Sequence, residues 1–166
     1  CIALGAQSNP ELLPWLQVST EPADFERMVA RQSLGTFVAM GLWNRPTMQL
    51  IGMVNLSQIY HGAFKSAYLS YWLGKGQTGH GRMREGMRLL MHYAFDHLHL
   101  HRLEANIQPG NHKSIALVQA VGFVREGYSE KYLEVLGEWK DHERWAIHHE
   151  IWPERDFPAH LRPTFA

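Results

Sequence analysis

A chain of 166 residues is long enough for one domain with a sizeable core. Lysine plus arginine and aspartate plus glutamate number 16 each, so the formal net charge is zero, and no basic excess favours nonspecific nucleic-acid or membrane binding. Cys1 is the only cysteine, which excludes an internal disulfide and fits a reducing cytoplasm; no apolar run approaches the roughly 18 residues of a membrane span, and the residues carry no signal-peptide pattern.

Residues 1–18 hold a short apolar helix candidate, with Asn9-Pro10 and a Leu-Leu-Pro-Trp-Leu run after it. Glu21 to Gln32 reads as a helix: Pro22 suits its first turn, Glu21 and Asp24 suit its positive end, and Phe25, Met28 and Val29 form an apolar stripe. Gly35 stops it. Thr36 to Trp43, Leu50 to Gln58 and Gly62 to Leu73 read as three strands with short connections, hence an antiparallel meander. Gly74, Gly76, Gly79 and Gly81 then punctuate the chain. Met83, Met87, Leu90, Ala94 and Leu98 follow at helical spacing, with Arg82, Arg84, Glu85 and Arg88 on the other face.

Arg102 to Ile107 reads as a strand, Gln108-Pro109-Gly110 as a turn, and Asn111 as the N-cap of a helix over Ser114 to Val121. Gly122 ends that helix. Val124 to Val135 and Glu138 to Ile151 read as two long strands joined at Gly137. The tail of residues 152–166 carries three prolines with Trp152, Phe157 and Phe165 and reads as irregular structure. A strand, a helical crossover and a second strand imply a parallel pair. The fold class is therefore α/β in the α+β sense: one domain over residues 1–166, with a mixed, mostly antiparallel sheet and flanking helices.

A glycine-rich turn opening a helix presents free N–H groups at the positive end of a dipole, a phosphate site. Gly74 to Gly79 fits the dinucleotide pattern GxGxxG, but some seventy residues precede it and Asp96, the nearest acidic candidate, lies inside the helix. No Gly-Lys-Ser/Thr follows, which removes the P-loop reading. A plain strand-to-helix turn competes with both. The third phosphate reading takes Gly76 to Gly81, GQTGHG, which resembles the pyrophosphate loop of acetyl-CoA-dependent N-acetyltransferases, the GNAT superfamily.

A second segment strengthens that resemblance. Asn111, Ser114, Leu117, Gly122, Phe123, Glu126 and Gly127 reproduce NxxSxxLxxxxGFxxEG after a strand, at the right distance from Gly81. The run YLSYWLGK before the loop, LLPWL near the start and GEWKDH at Gly137 to His142 resemble the ribosomal-protein-alanine N-acetyltransferases (Rim-type). The likeness spans about Pro10 to Ile147. In such families a first strand precedes the first helix, and this sequence is expected to start just after it.

The resemblance implies an acyl-CoA N-acyltransferase fold whose paired strands splay to admit the donor, acetyl-CoA. It implies that Tyr71, Trp72, Leu73 and Asn106 lie along the donor arm. Gln77, Thr78, Gly79, His80, Gly81, Arg82 and Met83 would hold the pyrophosphate, mainly through main-chain N–H groups. Gly76 stands where relatives often carry Arg or Gln. Asn111 would help place the arm, and Ser114 would give a proton to the departing sulfur. The expected acceptor is a protein N-terminal amine, or else a small amine such as an antibiotic or polyamine; a third reading is an acetyl-CoA-binding module without catalysis.

An α-amine titrates near 7.7–8.0, so part of it is neutral at cytoplasmic pH and a weak base suffices. Glu104 shares a strand face with Arg102 and Asn106, and is either that base or the partner of Arg102. The position that some relatives use for a base is Leu133 here, with Glu134 pointing away. Ser114 also reads as an ordinary first-turn residue, and Asp141-His142 as a structural pair near a hairpin. His97, His99, His101 and His148-His149 raise a metal reading, yet no cysteine or carboxylate cluster completes a set, so no metal is assigned.

Overall fold

The computed structural model describes residues 1–154. The elements are α1 (Ile2–Leu12), α2 (Pro22–Gln32), β1 (Phe37–Asn44), β2 (Gln49–Tyr60), β3 (Ser66–Leu73), α3 (Arg82–His92), β4 (Arg102–Ile107), α4 (His112–Ala120), β5 (Val124–Val135) and β6 (Glu138–His148). A π-helical turn, Tyr93–His97, extends α3, and a 3-10 turn, His149–Ile151, follows β6. The strands form one sheet in the order β1-β2-β3-β4-β6-β5. β3 and β4 run parallel, as the crossover through α3 requires, and the other neighbours are antiparallel. The mixed sheet expected from the sequence is the one observed.

The core lies between the sheet and α3. Met83, Met87, Leu90 and Ala94, the helical stripe, are all buried against Val54, Leu56, Leu69, Leu103, Ala105 and Ile147. Burying a side chain such as Met87 or Leu90 contributes about 1.5–3 kcal/mol. Gly86 lets α3 lie close on the sheet, because a Cβ there would sit 2.7 Å from Leu42 Cδ2.

Several boundaries moved for physical reasons. The helix expected to run to Leu98 widens after His92, where the Leu98 N–H reaches back five residues to the Tyr93 carbonyl, at 2.9 Å. β3 begins at Ser66 rather than Gly62, since Gly62 and Lys65 hold positive φ. The long final strand ends at His148 and turns into the 3-10 segment. The apolar stripe of α2 is only partly covered among the described residues: Met28 is half-buried, whereas Phe25 is 39% and Val29 47% exposed, on a helix that packs beside the edge strand β1.

Of the expected irregular tail, Trp152 is a core residue. Its ring packs on His92 and Phe95, at centroid distances of 4.6 and 5.2 Å. Next to it, Glu154 accepts from buried His92 Nε2 at 3.0 Å and from Arg88. Phe157, Phe165 and the later prolines lie outside the described residues. No helix among the described residues is long and apolar enough to cross a membrane.

Candidate active site

The parallel pair holds together over three ladder positions: Ser66 with Arg102, Ala67 with Leu103, and Tyr68 with Glu104. Beyond them each strand follows its other neighbour. β3 stays paired to β2 as far as Leu73, and β4 stays paired to β6 as far as Ile107. The sheet twist carries the two halves apart. The result is a V-shaped gap at the carboxyl ends of β3 and β4, flanked by main-chain groups not spent on each other.

The glycine loop sits at the mouth of this gap. Gly76, Gly79 and Gly81 have φ of 72, 85 and 73°, and a Cβ on any of them would meet nothing within 4 Å. The open space and left-handed backbone together leave one face of the loop free for a ligand. Gly81 is the N-cap of α3 and provides no side-chain cap, so the first helical N–H groups lack an intrahelical acceptor. The loop base is fixed: the Lys75 N–H donates to Ser8 Oγ and the Gln77 N–H to the Gly74 carbonyl, both at 3.0 Å. The Arg82 guanidinium donates to Gln77 Oε1, which holds one cation at the helix start. Thr78 and His80 are exposed, whereas the Met83 side chain is buried in the core and only its main chain faces the loop.

Across the gap stands α4. Asn111 caps it, with Oδ1 accepting from the Ser114 N–H at 3.2 Å. Ser114 Oγ lies 2.5 Å from the Tyr71 hydroxyl. Tyr71 therefore spans from β3 to α4, and burial pushes its phenol up to about 12 despite the Ser114 contact. Leu73 shares its strand face and packs on the core, while Trp72 is buried on the opposite face. Ser114 is thus more than a first-turn residue, and the sequence carried no sign that Tyr71, 43 positions earlier, would hold it.

The other sheet face carries Arg102, Glu104 and Asn106 on β4, alternating with buried Leu103, Ala105 and Ile107. Arg102 donates to Glu104 Oε1 at 3.0 Å and through two nitrogens to Glu126. Glu104 is hence the partner of Arg102, one of its two sequence readings, and this ion pair occupies one carboxylate oxygen. Tyr68 pairs with Glu104 in the ladder; burial, then the neighbouring Tyr132 hydroxyl and Glu104, raise its phenol. Asn55 lies opposite Ser70, with Nδ2 to Ser70 Oγ at 3.4 Å. Asn55 Oδ1 and Asn106 Oδ1 are buried acceptors with no partner among the described residues. Two such orphans on one face mark where a ligand's N–H groups belong.

Leu133 is exposed, and β5 reaches it through an irregularity between Ser129 and Leu133, where Lys131 has φ of 46°. That irregularity accompanies the placement of Tyr132 beside Tyr68, a neighbour that strand alternation alone did not reveal. Asp141 and His142 point apart: Asp141 accepts from Tyr128 and the Lys131 N–H, while His142 Nδ1 meets the Lys140 carbonyl at 2.9 Å. Their use is structural. The alternating histidines do not share a strand face, because His97 lies in the π-turn stacked on Tyr93 and His99 sits in the following loop.

A mixed sheet splayed at one parallel pair, with a glycine loop opening the crossover helix, defines an acyl-CoA N-acyltransferase architecture. The chain matches the acetyltransferase (GNAT) domain family over residues 3–124, and it belongs to that family, whose enzymes take their acetyl group from acetyl-CoA. It is 40% identical over 107 residues to the probable N-acetyltransferase YjcK of Bacillus subtilis, covering 64% of this chain and 59% of that protein. It is 31% identical over 145 residues to the Escherichia coli [ribosomal protein uS5]-alanine N-acetyltransferase, covering 82% of this chain and 75% of that one. The structure of Mycobacterium smegmatis RimJ in complex with CoA-disulfide superposes with a TM-score of 0.85 at 27% identity, covering 92% of this chain and 77% of that one.

Proposed function

We propose that the protein transfers the acetyl group of acetyl-CoA to the N-terminal α-amine of a protein, with ribosomal proteins the leading class. The single observation that favours this acceptor is the charge state of the face beside the gap. Its central carboxylates, Glu104 and Glu126, are both engaged by Arg102. A polyamine with several cationic nitrogens calls for uncompensated carboxylates, whereas a single α-amine needs only polar acceptors. Asn55 Oδ1 and Asn106 Oδ1 are such acceptors. The Rim-type relatives point the same way, and a cytoplasmic location accords with such a substrate.

The residues divide the work as follows. The N–H groups of Thr78 to Met83, with the Arg82 guanidinium beside them, hold the donor's pyrophosphate; the Gln77 N–H is spent on the Gly74 carbonyl, and Gln77 contributes by positioning Arg82. Tyr71, Trp72 and Leu73 line the donor arm through β3 main chain, and Asn106 Oδ1 accepts from an amide N–H of that arm or of the acceptor. Acetyl-CoA supplies the activated acyl group as a thioester. Glu104 and the polar face orient the incoming amine, whose own pKa leaves part of it neutral at pH 7. As the amine nitrogen bonds the acyl carbon and the carbon–sulfur bond breaks, Ser114 Oγ–H protonates the sulfur and takes up through water the proton that the nitrogen sheds on becoming an amide, so Ser114 ends neutral. The Tyr71 hydroxyl keeps Ser114 oriented for that step, and Asn111 fixes the turn that carries it.

The test supplies acetyl-CoA with peptides bearing free alanine or serine N-termini, and separately with spermidine. Thiol release and the mass of the product are followed. Acetylation confined to the peptide α-amine is the expected result. Preference for spermidine overturns the acceptor assignment, and acetyl-CoA binding without transfer to either amine leaves a binding module.

A further inference from the structure

Among the described residues, one cluster of potential metal-ligating side chains lies outside the proposed transfer chemistry. His101, just before β4, and His148, the last residue of β6, are brought side by side by the ladder: Arg102 pairs with His148, and the His149 N–H donates to the His101 carbonyl at 2.9 Å. Their rings lie nearly parallel, 18° apart with centroids 5.8 Å apart. Glu150, in the 3-10 turn, places its carboxylate between them. Its Oε2 is 3.0 Å from His101 Nε2 and 2.9 Å from His148 Nδ1. All three ligand atoms lie within 4.8 Å of one another.

We propose that His101, His148 and Glu150 form a binding site for a divalent transition metal, zinc above all. Two imidazoles and one carboxylate are the ligand set of zinc sites that keep an open position, with metal–ligand distances of about 2.1 Å. Contacts near 3 Å between ligand atoms suit a tetrahedral shell of that radius, so small side-chain shifts admit the ion. The metal takes the lone pairs of His101 Nε2 and His148 Nδ1, and each ring then carries its proton on the other nitrogen. Two of the three ligands are anchored by sheet hydrogen bonds, which limits the ordering cost. The nearby charge permits a cation: Arg102 and, close by, Arg144 balance Glu104 and Glu126, so the Glu150 carboxylate adds the negative charge that faces the ion. His148 shares the sheet face of Arg102, so the site lies at the rim of the proposed acceptor face.

The test is titration of metal-free full chain with zinc against a chromophoric chelator, repeated with cobalt to read its visible absorption. One equivalent binding at or below roughly 100 µM is the expected result. His148→Ala and Glu150→Gln each weaken it about tenfold or more, and His112→Ala, on α4, leaves it unchanged. Circular dichroism of the variants checks that they fold, and zinc raises the melting temperature of wild type by more than that of His148→Ala at the same concentration. No saturable binding, or equal binding by the Glu150→Gln variant and wild type, overturns the proposal. Should His148→Ala not fold, Glu150→Gln at an exposed position carries the same test.

Discussion

Ser114 and Tyr71 meet through their hydroxyl groups, and the two partners differ in what they lose when separated. In Ser114→Ala the Tyr71 hydroxyl stays in an enclosed position and keeps the long, 3.5 Å contact to the carbonyl of residue 114. A buried hydroxyl without a good partner costs about 1–3 kcal/mol. In Tyr71→Phe the stranded group is a half-buried serine hydroxyl in a first helical turn, which water or a nearby carbonyl satisfies, so about 0.5–1.5 kcal/mol is lost. The double variant strands neither group, and its loss is smaller than the sum by about 1 kcal/mol. For a chain of this size each kilocalorie moves the melting temperature by about 2–4 °C.

Urea unfolding of the four proteins gives the stability cycle, and acetyl-transfer rates give a parallel one. If Tyr71 acts by orienting Ser114, Ser114→Ala lowers kcat with little change in acetyl-CoA affinity. Tyr71→Phe then adds nothing once Ser114 is gone. Strict additivity in both cycles refutes the coupling, and an unchanged kcat for Ser114→Ala refutes the proton-donor role.

Three other substitutions probe separate parts of the structure. Gly79→Val forces a β-branched residue to φ of 85°, a strain of about 1–3 kcal/mol; acetyl-CoA binding, measured calorimetrically, drops by at least about tenfold while circular dichroism stays native. Unchanged affinity in that variant removes the loop from the donor site. Gly52→Ala places a Cβ 2.4 Å from the Trp72 carbonyl, so β2 and β3 must part, at a cost of about 1–3 kcal/mol; an unaltered melting temperature contradicts that geometry. Arg102 holds the Glu126 carboxyl below its ordinary range, so Glu126 stabilises the fold at pH above about 4.3 and that stability is lost as pH falls through its depressed folded value. Glu126→Gln should flatten the decline in melting temperature through this acid range, and an identical decline in the variant contradicts the pairing.

The sequence made legible whatever depends on local backbone chemistry. The glycines at 76, 79 and 81 demand left-handed φ, Asn111 caps a helix by its own side chain, and Met83, Met87, Leu90 and Ala94 repeat at the helical period. Two spaced motifs added the family and hence the splayed sheet. What escaped depends on contacts between distant positions. Tyr71 reaches Ser114 only because the strands diverge, and Tyr132 joins Tyr68 through an irregularity that strand alternation does not encode. Arg102 gathers Glu104 and Glu126 from two strands, and His101 finds a carboxylate in Glu150 only after β6 turns into its 3-10 segment.

The short seam between β3 and β4 has a mechanical consequence. The sheet consists of two antiparallel plates, β1-β2-β3 and β4-β6-β5, stitched together at three residue pairs. Few main-chain bonds resist a change in the angle between the plates; the resistance comes from the shared core, in which Met87 and Leu90 of α3 and Ala94 of the π-turn cluster with Leu56 and Leu69 of one plate and Leu103 and Ile147 of the other. A molecule wedged in the V touches both plates at once. It therefore acts as a tie-bar, and amide protons flanking the seam at Ser66 to Tyr68 should slow their exchange with solvent more than those at the outer edges of either plate.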